Sequence, residues 1–257
     1  MTTSTLKQRV LAGERVLGHM VLEFFVPAVP QLVKVAGAEF LLLDMEHTGC
    51  SLETLKAMIA ACRGVGIAPV VRVPATEYHF IARALDVGAH GIMVPIVETR
   101  EQAEFIVSCT RYPPLGRRGA AFGVAHDDYQ GGTPAEKMEA AHRRTLVITQ
   151  IETPKGVENA AAIAAVPNVD VLWVGHFDLT NFMGIPGQFD HPDYHAALAK
   201  VVGAARANGK GTGFMALDER WGKEYLERGF SMIAYGMDSN LYQKSVAQGI
   251  AALKQQR

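Results

Sequence analysis

Cysteine is scarce in this sequence of 257 residues, and it has neither a long apolar run nor an excess of charge of either sign. The three cysteines (Cys50, Cys62 and Cys109) have no zinc-type spacing, and their odd number predicts free thiols in a reducing compartment. No apolar run approaches the roughly 20 residues that cross a bilayer. The N-terminal stretch also lacks the apolar region of a signal peptide. We therefore predict a cytoplasmic protein with no membrane partner.

The charge balance gives no indication of a nucleic-acid partner, because the net charge is −1 and only 20% of the residues are charged. Hydrophobic residues make up 49% of the chain, which is enough for a large core. This length suits one large domain or two small ones. Since no linker or low-complexity segment interrupts the chain, we predict a single domain over residues 1–257.

Eight short apolar runs alternate along the chain with eight segments of helical periodicity. The runs begin at residues 15, 39, 68, 90, 145, 169, 211 and 230. Most of them are apolar on both faces, as parallel strands covered by other elements are. Eight such units in about 250 residues predict an α/β fold of the (β/α)₈ type, a TIM barrel. A doubly wound open sheet is the alternative, weakened because no G-x-G-x-x-G follows the first run.

One irregular stretch, residues 113–134, is too long for an ordinary connection between elements. We expect it to form a loop over the functional site.

Polar residues stand at the ends of four of the predicted strands. They are Asp44, Glu46 and His47 after the second, Arg72 after the third, Gln150 and Glu152 after the fifth, and Asp178 after the sixth. In a barrel of this type the site is built at the carboxyl ends of the strands. We therefore expect these side chains to meet at one rim.

Two of the rim carboxylates, Glu152 and Asp178, could hold a hard divalent cation and leave its other positions to water and substrate. The alternative is a pair of surface acids, or one acid paired with Arg72. That arginine lies within an apolar run, so its stem is expected to be buried and to need anionic partners. Glu46 could be one such partner, and a substrate oxyanion could be another.

Six motifs in this chain occur in the order and spacing of a known family. They are LLDMEH, RVP, LDVGAHGIMVPIV, RYPPLGRRG, QIET and VGHFDLT. From about Leu17 to the C-terminus the chain resembles the HpcH/HpaI aldolases, the metal-dependent class II pyruvate aldolases. The resemblance implies reversible cleavage of 4-hydroxy-2-oxo acids to pyruvate, or a related 2-oxo acid, and an aldehyde. The implied cofactor is Mg²⁺, Mn²⁺ or Co²⁺.

The same resemblance implies roles for the rim residues. Glu152 and Asp178 would be the metal ligands. Arg72 would contact the carbonyl oxygen that becomes the enolate oxygen. His47, paired with Asp44, would act as the acid and base, since an imidazole titrates near neutral pH.

Other implied roles concern the substrate and the assembly. Gln150 would position the substrate or a water, and backbone amides near Phe177 and Asp178 would hold the pyruvate carboxylate. Asp86 would reach into the site of a neighbouring subunit. The family also implies a homo-oligomer, with a hexamer favoured, in which the last helix packs on a partner barrel.

The chain departs from the family pattern at two places. Met45 stands where well-known members have glycine, and His176 and Phe177 replace a pair of small residues. These changes affect the mouth and the carboxylate pocket, so they leave the substrate open. We interpret His176 as part of the wall rather than as a metal ligand, because hard cations prefer oxygen.

The sequence leaves four alternative functions. A CoA-thioester lyase of the citrate-lyase type would need a basic groove, and the only basic pairs are Arg117–Arg118 and Arg143–Arg144. A phosphate-handling isomerase would need a Gly-rich phosphate loop near the seventh and eighth strands. A Schiff-base aldolase would need a lysine, for which Lys155 is the only candidate near the rim. A non-catalytic protein on the same fold is the fourth.

Overall fold

Eight parallel strands close into a barrel at the centre of the molecule, which a computed structural model describes over residues 4–255. The strands are β1 (Val16–Val21), β2 (Phe40–Asp44), β3 (Ala68–Arg72), β4 (Gly91–Val94), β5 (Leu146–Ile151), β6 (Val171–Val174), β7 (Gly211–Ala216) and β8 (Met232–Met237). Each strand pairs with the next one in the chain, and β8 pairs with β1. The predicted (β/α)₈ barrel is confirmed, and the doubly wound alternative is wrong because the sheet has no open edge.

Twelve α-helices surround or extend the barrel within the described residues. They are α1 (Leu6–Leu11), α2 (Ala28–Val35), α3 (Leu52–Gly64), α4 (Tyr78–Asp86), α5 (Arg100–Thr110), α6 (Pro134–Arg144), α7 (Pro154–Glu158), α8 (Ala160–Ala164), α9 (His176–Phe182), α10 (Pro192–Ala207), α11 (Glu219–Glu227) and α12 (Asp238–Lys254). Sequence periodicity did not predict α1, α6 or α9. None of the described helices is long and apolar enough to pass through a membrane.

The strands are apolar on both faces because each contributes to two cores. Phe40 and Leu42 of β2 belong to the cluster that fills the barrel interior. Leu41 and Leu43, on the opposite face, belong to the cluster between the barrel and its helices. All four side chains are essentially inaccessible to solvent. Alternation of side chains along a strand therefore explains the continuous apolar runs.

The long stretch at residues 113–134 does not lie over the site of its own chain. It joins the end of α5 to α6, which precedes β5, so it lies at the amino ends of the strands. Its contacts agree with that position, because Arg118 binds Asp86 at the end of α4 at 2.7 Å, and Arg63 near the end of α3 donates to the Ala125 carbonyl. The predicted loop over the site is wrong, since the sequence alone did not reveal α6.

The last helix, α12, leaves an apolar stripe in solvent. Tyr242, Val246, Ile250 and Leu253 recur every three or four residues and are all exposed, and Leu253 is 69% exposed. The outer face of the barrel beside β8 is also incompletely covered, since Leu17 of β1 is 46% exposed. Within this chain, the last helix therefore does not cover the strands that a final barrel helix would normally cover.

Candidate active site

The predicted rim residues come together at the carboxyl ends of the strands. Asp44 ends β2 and Arg72 ends β3, and the two residues are directly paired in the sheet register. Gln150 is in β5, with Glu152 one residue beyond its end. Asp178 lies in the first turn of α9, which follows β6 after a single glycine, and not on the strand itself. The rim expected from the sequence is therefore present.

Arg72 is held by two carboxylates. Its Nε donates to Asp44 Oδ1 at 2.6 Å, and its Nη1 lies 3.0 Å from Glu46 Oε2. Burial opposes a charge on this guanidinium, but the contact with Asp44, together with the negative charges of Glu46 and Glu152, raises the pKa of Arg72. The prediction that Glu46 is a partner of Arg72 is thus confirmed by a direct ion pair.

Glu46 is less well stabilised as an anion than its contact with Arg72 alone would indicate. Burial raises the pKa of Glu46, and the negative charges of Asp44 and Asp178 raise it further, while Arg72 and His47 lower it. Arg72 lies closer to Asp44 than to Glu46, so one guanidinium is shared unequally between two acids. The rim therefore carries more negative than positive charge.

Asp44 has a different local role from the one expected. The carboxylate of Asp44 accepts from the backbone N–H of Glu46 at 3.1 Å and of His47 at 3.2 Å, in addition to Arg72. The carboxylate near the imidazole is that of Glu46, whose Oε2 lies 3.6 Å from His47 Nε2. The expected Asp44–His47 side-chain pair is replaced because the turn after β2 bends the chain around the Asp44 carboxylate.

Glu152 is a buried carboxylate with unusual proton affinity. Its Oε1 accepts from the backbone N–H of Ile96 at 2.6 Å, and its Oε2 accepts from Gln150 Nε2. Burial raises the pKa of Glu152 to about 7, and the negative charges of Glu46 and Asp178 add to that effect. Burial and neighbouring negative charges destabilise the Glu152 anion, so a bound cation would stabilise it.

Two backbone positions shape the surroundings of Glu152. Ile96 has a φ of 52°, which is an uncommon left-handed conformation for a β-branched residue, and it delivers its N–H to the Glu152 carboxylate. At Gly175 a Cβ atom would collide with the Glu152 carboxylate and come within 2.8 Å of Gln150 Nε2. Sequence reasoning missed both residues, because an isoleucine gives no sign of a positive φ and one glycine among many gives no sign of a close approach.

The residues around Glu152 fit a hard divalent cation. The donor set is made of oxygens, and Gln150 Oε1 is buried with no hydrogen-bond partner among the described residues. Across residues 4–255, no group of three or more His, Cys, Asp or Glu side chains is arranged to hold a metal ion. A two-carboxylate site that leaves positions to water and substrate agrees with this arrangement.

A cavity of about 180 Å³ opens beside these residues. Arg72, Gln150 and Asp178 line it on the polar side, and His47, whose side chain is 54% exposed, lies at its mouth. The volume is below the roughly 300–1,000 Å³ of pockets for drug-sized ligands, so the cavity suits a small substrate. The Trp173 ring reaches the cavity because its sheet partner Gly213 has no side chain to oppose it.

His176 belongs to an aromatic wall of this cavity. It is 3% exposed, and its ring lies 4.5 to 5.2 Å from those of Phe177, Phe214 and Trp221. Burial lowers the pKa of His176 to about 3, so the ring is neutral at physiological pH. Its Nε2 has no hydrogen-bond partner within the part of the chain that the structure describes.

Comparison with known proteins identifies the family. The HpcH/HpaI aldolase/citrate lyase family model matches residues 22–245. The chain is 37% identical over 225 residues to 5-keto-4-deoxy-D-glucarate aldolase of Escherichia coli (strain K12), covering 88% of this chain and 87% of that one. The chain belongs to the HpcH/HpaI aldolase/citrate lyase family.

Solved structures agree with this membership. The HpcH/HpaI aldolase from Desulfitobacterium hafniense DCB-2 superposes with a TM-score of 0.94 at 30% identity, covering 99% of this chain and 98% of the other. An HpcH/HpaI aldolase/citrate lyase family protein from Burkholderia cenocepacia J2315 gives 0.91 at 32% identity, covering 98% and 100%. The citrate lyase beta subunit from Mycobacterium tuberculosis gives only 0.56 at 20% identity, covering 90% and 94%, and so shares the fold alone.

This member of the HpcH/HpaI family is therefore an enzyme of the aldolase class. The predicted resemblance and the predicted aldolase activity are confirmed, and the aldolase interpretation fits better than the citrate-lyase alternative.

Two further acidic residues lie at opposite ends of the barrel: Asp238 was not predicted to have a role, and Asp86 was predicted to act on a neighbouring subunit. Asp238, at the start of α12, is buried and accepts from the backbone N–H groups of Leu22, Glu23 and Phe24, so it fixes the segment after β1 beside the cavity. Asp86 lies at the opposite end of the barrel, paired with Arg118 at 2.7 Å. It is far from the cavity of its own chain, and its action on a neighbouring site stays a prediction.

Proposed function

We propose that this aldolase reversibly cleaves 4-hydroxy-2-oxo acids to pyruvate, or a related 2-oxo acid, and an aldehyde, with the help of Mg²⁺, Mn²⁺ or Co²⁺. The observation that carries the proposal is the buried Glu152 carboxylate, whose pKa is raised to about 7 next to Asp178 and beside the cavity that Arg72 lines. Such a carboxylate is costly to bury as an anion unless a cation neutralises it.

Glu152 and Asp178 would hold the cation. When bound, it would supply positive charge beside the oxygen of the 2-oxo acid that becomes negative as the carbon–carbon bond breaks. Gln150 keeps the Glu152 carboxylate in place through its Nε2 and leaves its Oε1 to position substrate or a water.

Arg72 stabilises the same developing charge from the protein side. Asp44 and Glu46 hold its Nε and Nη1, which fixes the guanidinium plane and leaves Nη2 for the carbonyl oxygen of the substrate. Because the donor is already in position before the reaction, little reorganisation is needed as charge develops.

His47 would move the proton. In the cleavage direction it removes the proton of the C4 hydroxyl, the C3–C4 electron pair passes to the enolate next to Arg72, and the aldehyde leaves. Protonation of C3 then gives pyruvate. Glu46 Oε2 lies 3.6 Å from Nε2 of the ring and would orient the imidazole for this step.

The substrate carboxylate would bind to backbone amides near Phe177 and Asp178. These residues are in the first turn of α9, where N–H groups have no acceptor within the helix. These residues do not identify the aldehyde. The name of the Escherichia coli relative makes a sugar-acid aldehyde one candidate, and succinic semialdehyde and glyceraldehyde-type acceptors are others.

An assay of pyruvate enolisation, measured as exchange of the C3 hydrogens, tests this function. With pyruvate in D₂O, we expect exchange of the C3 hydrogens when Mg²⁺, Mn²⁺ or Co²⁺ is present, no exchange after EDTA, and recovery when the metal is returned. Borohydride with pyruvate should leave the enzyme active. The opposite pattern, inactivation by borohydride and indifference to EDTA, would indicate a Schiff-base aldolase with a lysine such as Lys155.

Replacing His47 by alanine separates proton transfer from metal binding. We expect His47→Ala to keep its cation in calorimetric titration and to lose cleavage turnover by a factor of about 10² to 10⁴. His79→Ala, on the exposed surface of α4, is the matched control and should behave as wild type. If His47→Ala loses the cation while Glu152→Ala keeps it, the metal assignment is wrong.

We also propose that the enzyme is a homo-oligomer, with a hexamer favoured, in which α12 packs on a neighbouring barrel. The exposed stripe of α12 and the uncovered Leu17 are complementary apolar surfaces that a second copy would bury. In native mass spectrometry we expect six copies for the wild type and smaller species for Ile250→Lys. Gln248→Lys places the same charge on the opposite side of the helix and should leave the assembly intact, whereas a monomeric wild type would contradict the proposal.

The cytoplasmic location and the single domain over residues 1–257 stay predictions. The three cysteines are free thiols, two of them buried, as expected for a reducing compartment.

A further inference from the structure

The cavity has a sharp division between a small polar corner and a large apolar wall. Four methionines, which we call the methionine wall, line it: Met20 in β1, Met93 in β4, Met215 in β7 and Met237 at the end of β8. Trp173 and Phe177 extend the apolar lining. Methionine is flexible and polarisable, so such a wall adapts to apolar groups of different shape.

Within this chain, the polar corner has no cation to spare for a second acid. Among the described residues that line the cavity, Arg72 is the sole lysine or arginine. Its Nε and Nη1 are already engaged by Asp44 and Glu46. His47, the other basic group at the mouth, already lies 3.6 Å from the carboxylate of Glu46.

Negative charge accumulates at the same corner. Asp44 and Glu46 contact Arg72, Glu152 contacts Gln150, and Asp178 lines the cavity. With a divalent cation and the single carboxylate of a 2-oxo acid bound, these four carboxylates and one guanidinium leave an excess of two negative charges at the corner. A second carboxylate on the aldehyde would have no partner, and burying an unpaired charge is strongly unfavourable.

We propose that the aldehyde partner of this enzyme is an uncharged molecule with an apolar substituent, which packs against the methionine wall. The inference rests on the proposed pyruvate aldolase function and narrows it, because it excludes aldehydes that carry a carboxylate as preferred partners. The methionine wall would then determine which aldehyde the enzyme uses.

A pair of aldehydes of the same shape tests the inference. Succinic semialdehyde ends in a carboxylate, and 4-methylpentanal ends in an isopropyl group of similar size on the same two-carbon spacer. In the condensation with pyruvate and Mn²⁺, we expect kcat/KM to be at least about tenfold higher for 4-methylpentanal. An equal or higher value for succinic semialdehyde would overturn the inference.

A positive charge introduced into the cavity lining should shift the preference toward the acidic aldehyde. Leu22 lines the cavity and is half-buried, so Leu22→Arg can offer a cation to the acidic aldehyde, while Leu22→Gln adds a polar group without charge. We expect Leu22→Arg alone to shift the ratio of the two kcat/KM values toward succinic semialdehyde by about tenfold or more. The same shift in Leu22→Gln would show that polarity rather than charge decides, which contradicts the argument.

Exchange of the pyruvate C3 hydrogens in D₂O, without any aldehyde, distinguishes a failure of the proposed aldolase function from a failure of the inferred aldehyde preference. Absence of exchange in wild type would refute the proposed function and, with it, this inference. Normal exchange together with a preference for succinic semialdehyde would refute the inference alone. Exchange in Leu22→Arg also reports that this variant is folded and binds pyruvate.

Discussion

Glutamine in place of Glu152 is expected to reduce metal-dependent turnover by at least about 1,000-fold and, at the same time, to make the metal-free protein more stable at pH 8. The first effect follows from the loss of one of two protein carboxylates that would hold the cation, since a bound metal contributes several kcal/mol to transition-state stabilisation. The second follows from the removal of a buried carboxylate that forms no ion pair with another described residue.

The size of this stability gain depends on pH. Burial raises the pKa of Glu152 to about 7 from 4.5, so the folded protein binds this proton more tightly than the unfolded chain does. Stability therefore falls as pH rises from about 4.5 to about 7, and the loss is complete above that range. Glutamine does not titrate, so we expect Glu152→Gln to gain up to about 3 kcal/mol over wild type at pH 8 and little at pH 4.5.

Urea denaturation in EDTA at the two pH values measures the gain, and calorimetric titration with Mn²⁺ measures the lost site. Glu158→Gln is the matched control, because it is the same substitution at an exposed position of α7. Glu158→Gln should match wild type both in stability and in Mn²⁺ binding. If Glu152→Gln were less stable than wild type at pH 8 without metal, the Glu152 carboxylate would have a cationic partner that the structure does not show.

Lysine in place of Arg72 is expected to lower kcat by about 10² to 10³ even though the positive charge is kept. An ammonium group is a single point charge, so it cannot hold Asp44 at 2.6 Å and Glu46 at 3.0 Å and also reach the substrate oxygen. The loss of a hydrogen bond between charged groups should also reduce the free energy of unfolding by about 2 kcal/mol.

The rate of C3 hydrogen exchange locates the defect in Arg72→Lys. Since Arg72 would stabilise the enolate, exchange should slow by a factor close to that for cleavage, with a smaller change in the KM for pyruvate. Arg83→Lys, exposed on α4, is the control for the substitution itself. Guanidinium salts should partly restore turnover to Arg72→Ala; unchanged exchange in Arg72→Lys would place Arg72 outside the enolate step.

Much of the fold could be predicted because local pattern and global architecture agree. The residues of β2, from Phe40 to Asp44, are apolar on both faces because one face fills the barrel and the other meets the helices. That pattern, repeated eight times, allows few architectures other than a closed parallel barrel. The helix α6 was missed, and with it the position of residues 113–134, because its sequence is strongly polar and has a single large apolar residue, Met138.

The same reasoning predicted which residues share the site. Polar groups at the carboxyl ends of parallel strands must meet at one rim whatever their side-chain partners are. That placement brought Arg72, Gln150 and Asp178 to one cavity. The roles of these residues in catalysis remain predictions that the variants above test.

The sequence by itself thus determined the barrel and the rim and made Glu46 one candidate partner of Arg72, since these follow from periodicity and from the need of a buried charge for a partner. Tertiary structure alone decided that Asp44 binds Arg72 and backbone amides rather than the His47 ring, and that Ile96 turns its N–H toward Glu152. It also decided that Glu152 is the acid with the raised pKa. Hydrogen-bond direction and desolvation depend on distances between strands far apart in the chain, and no local pattern of residues specifies them.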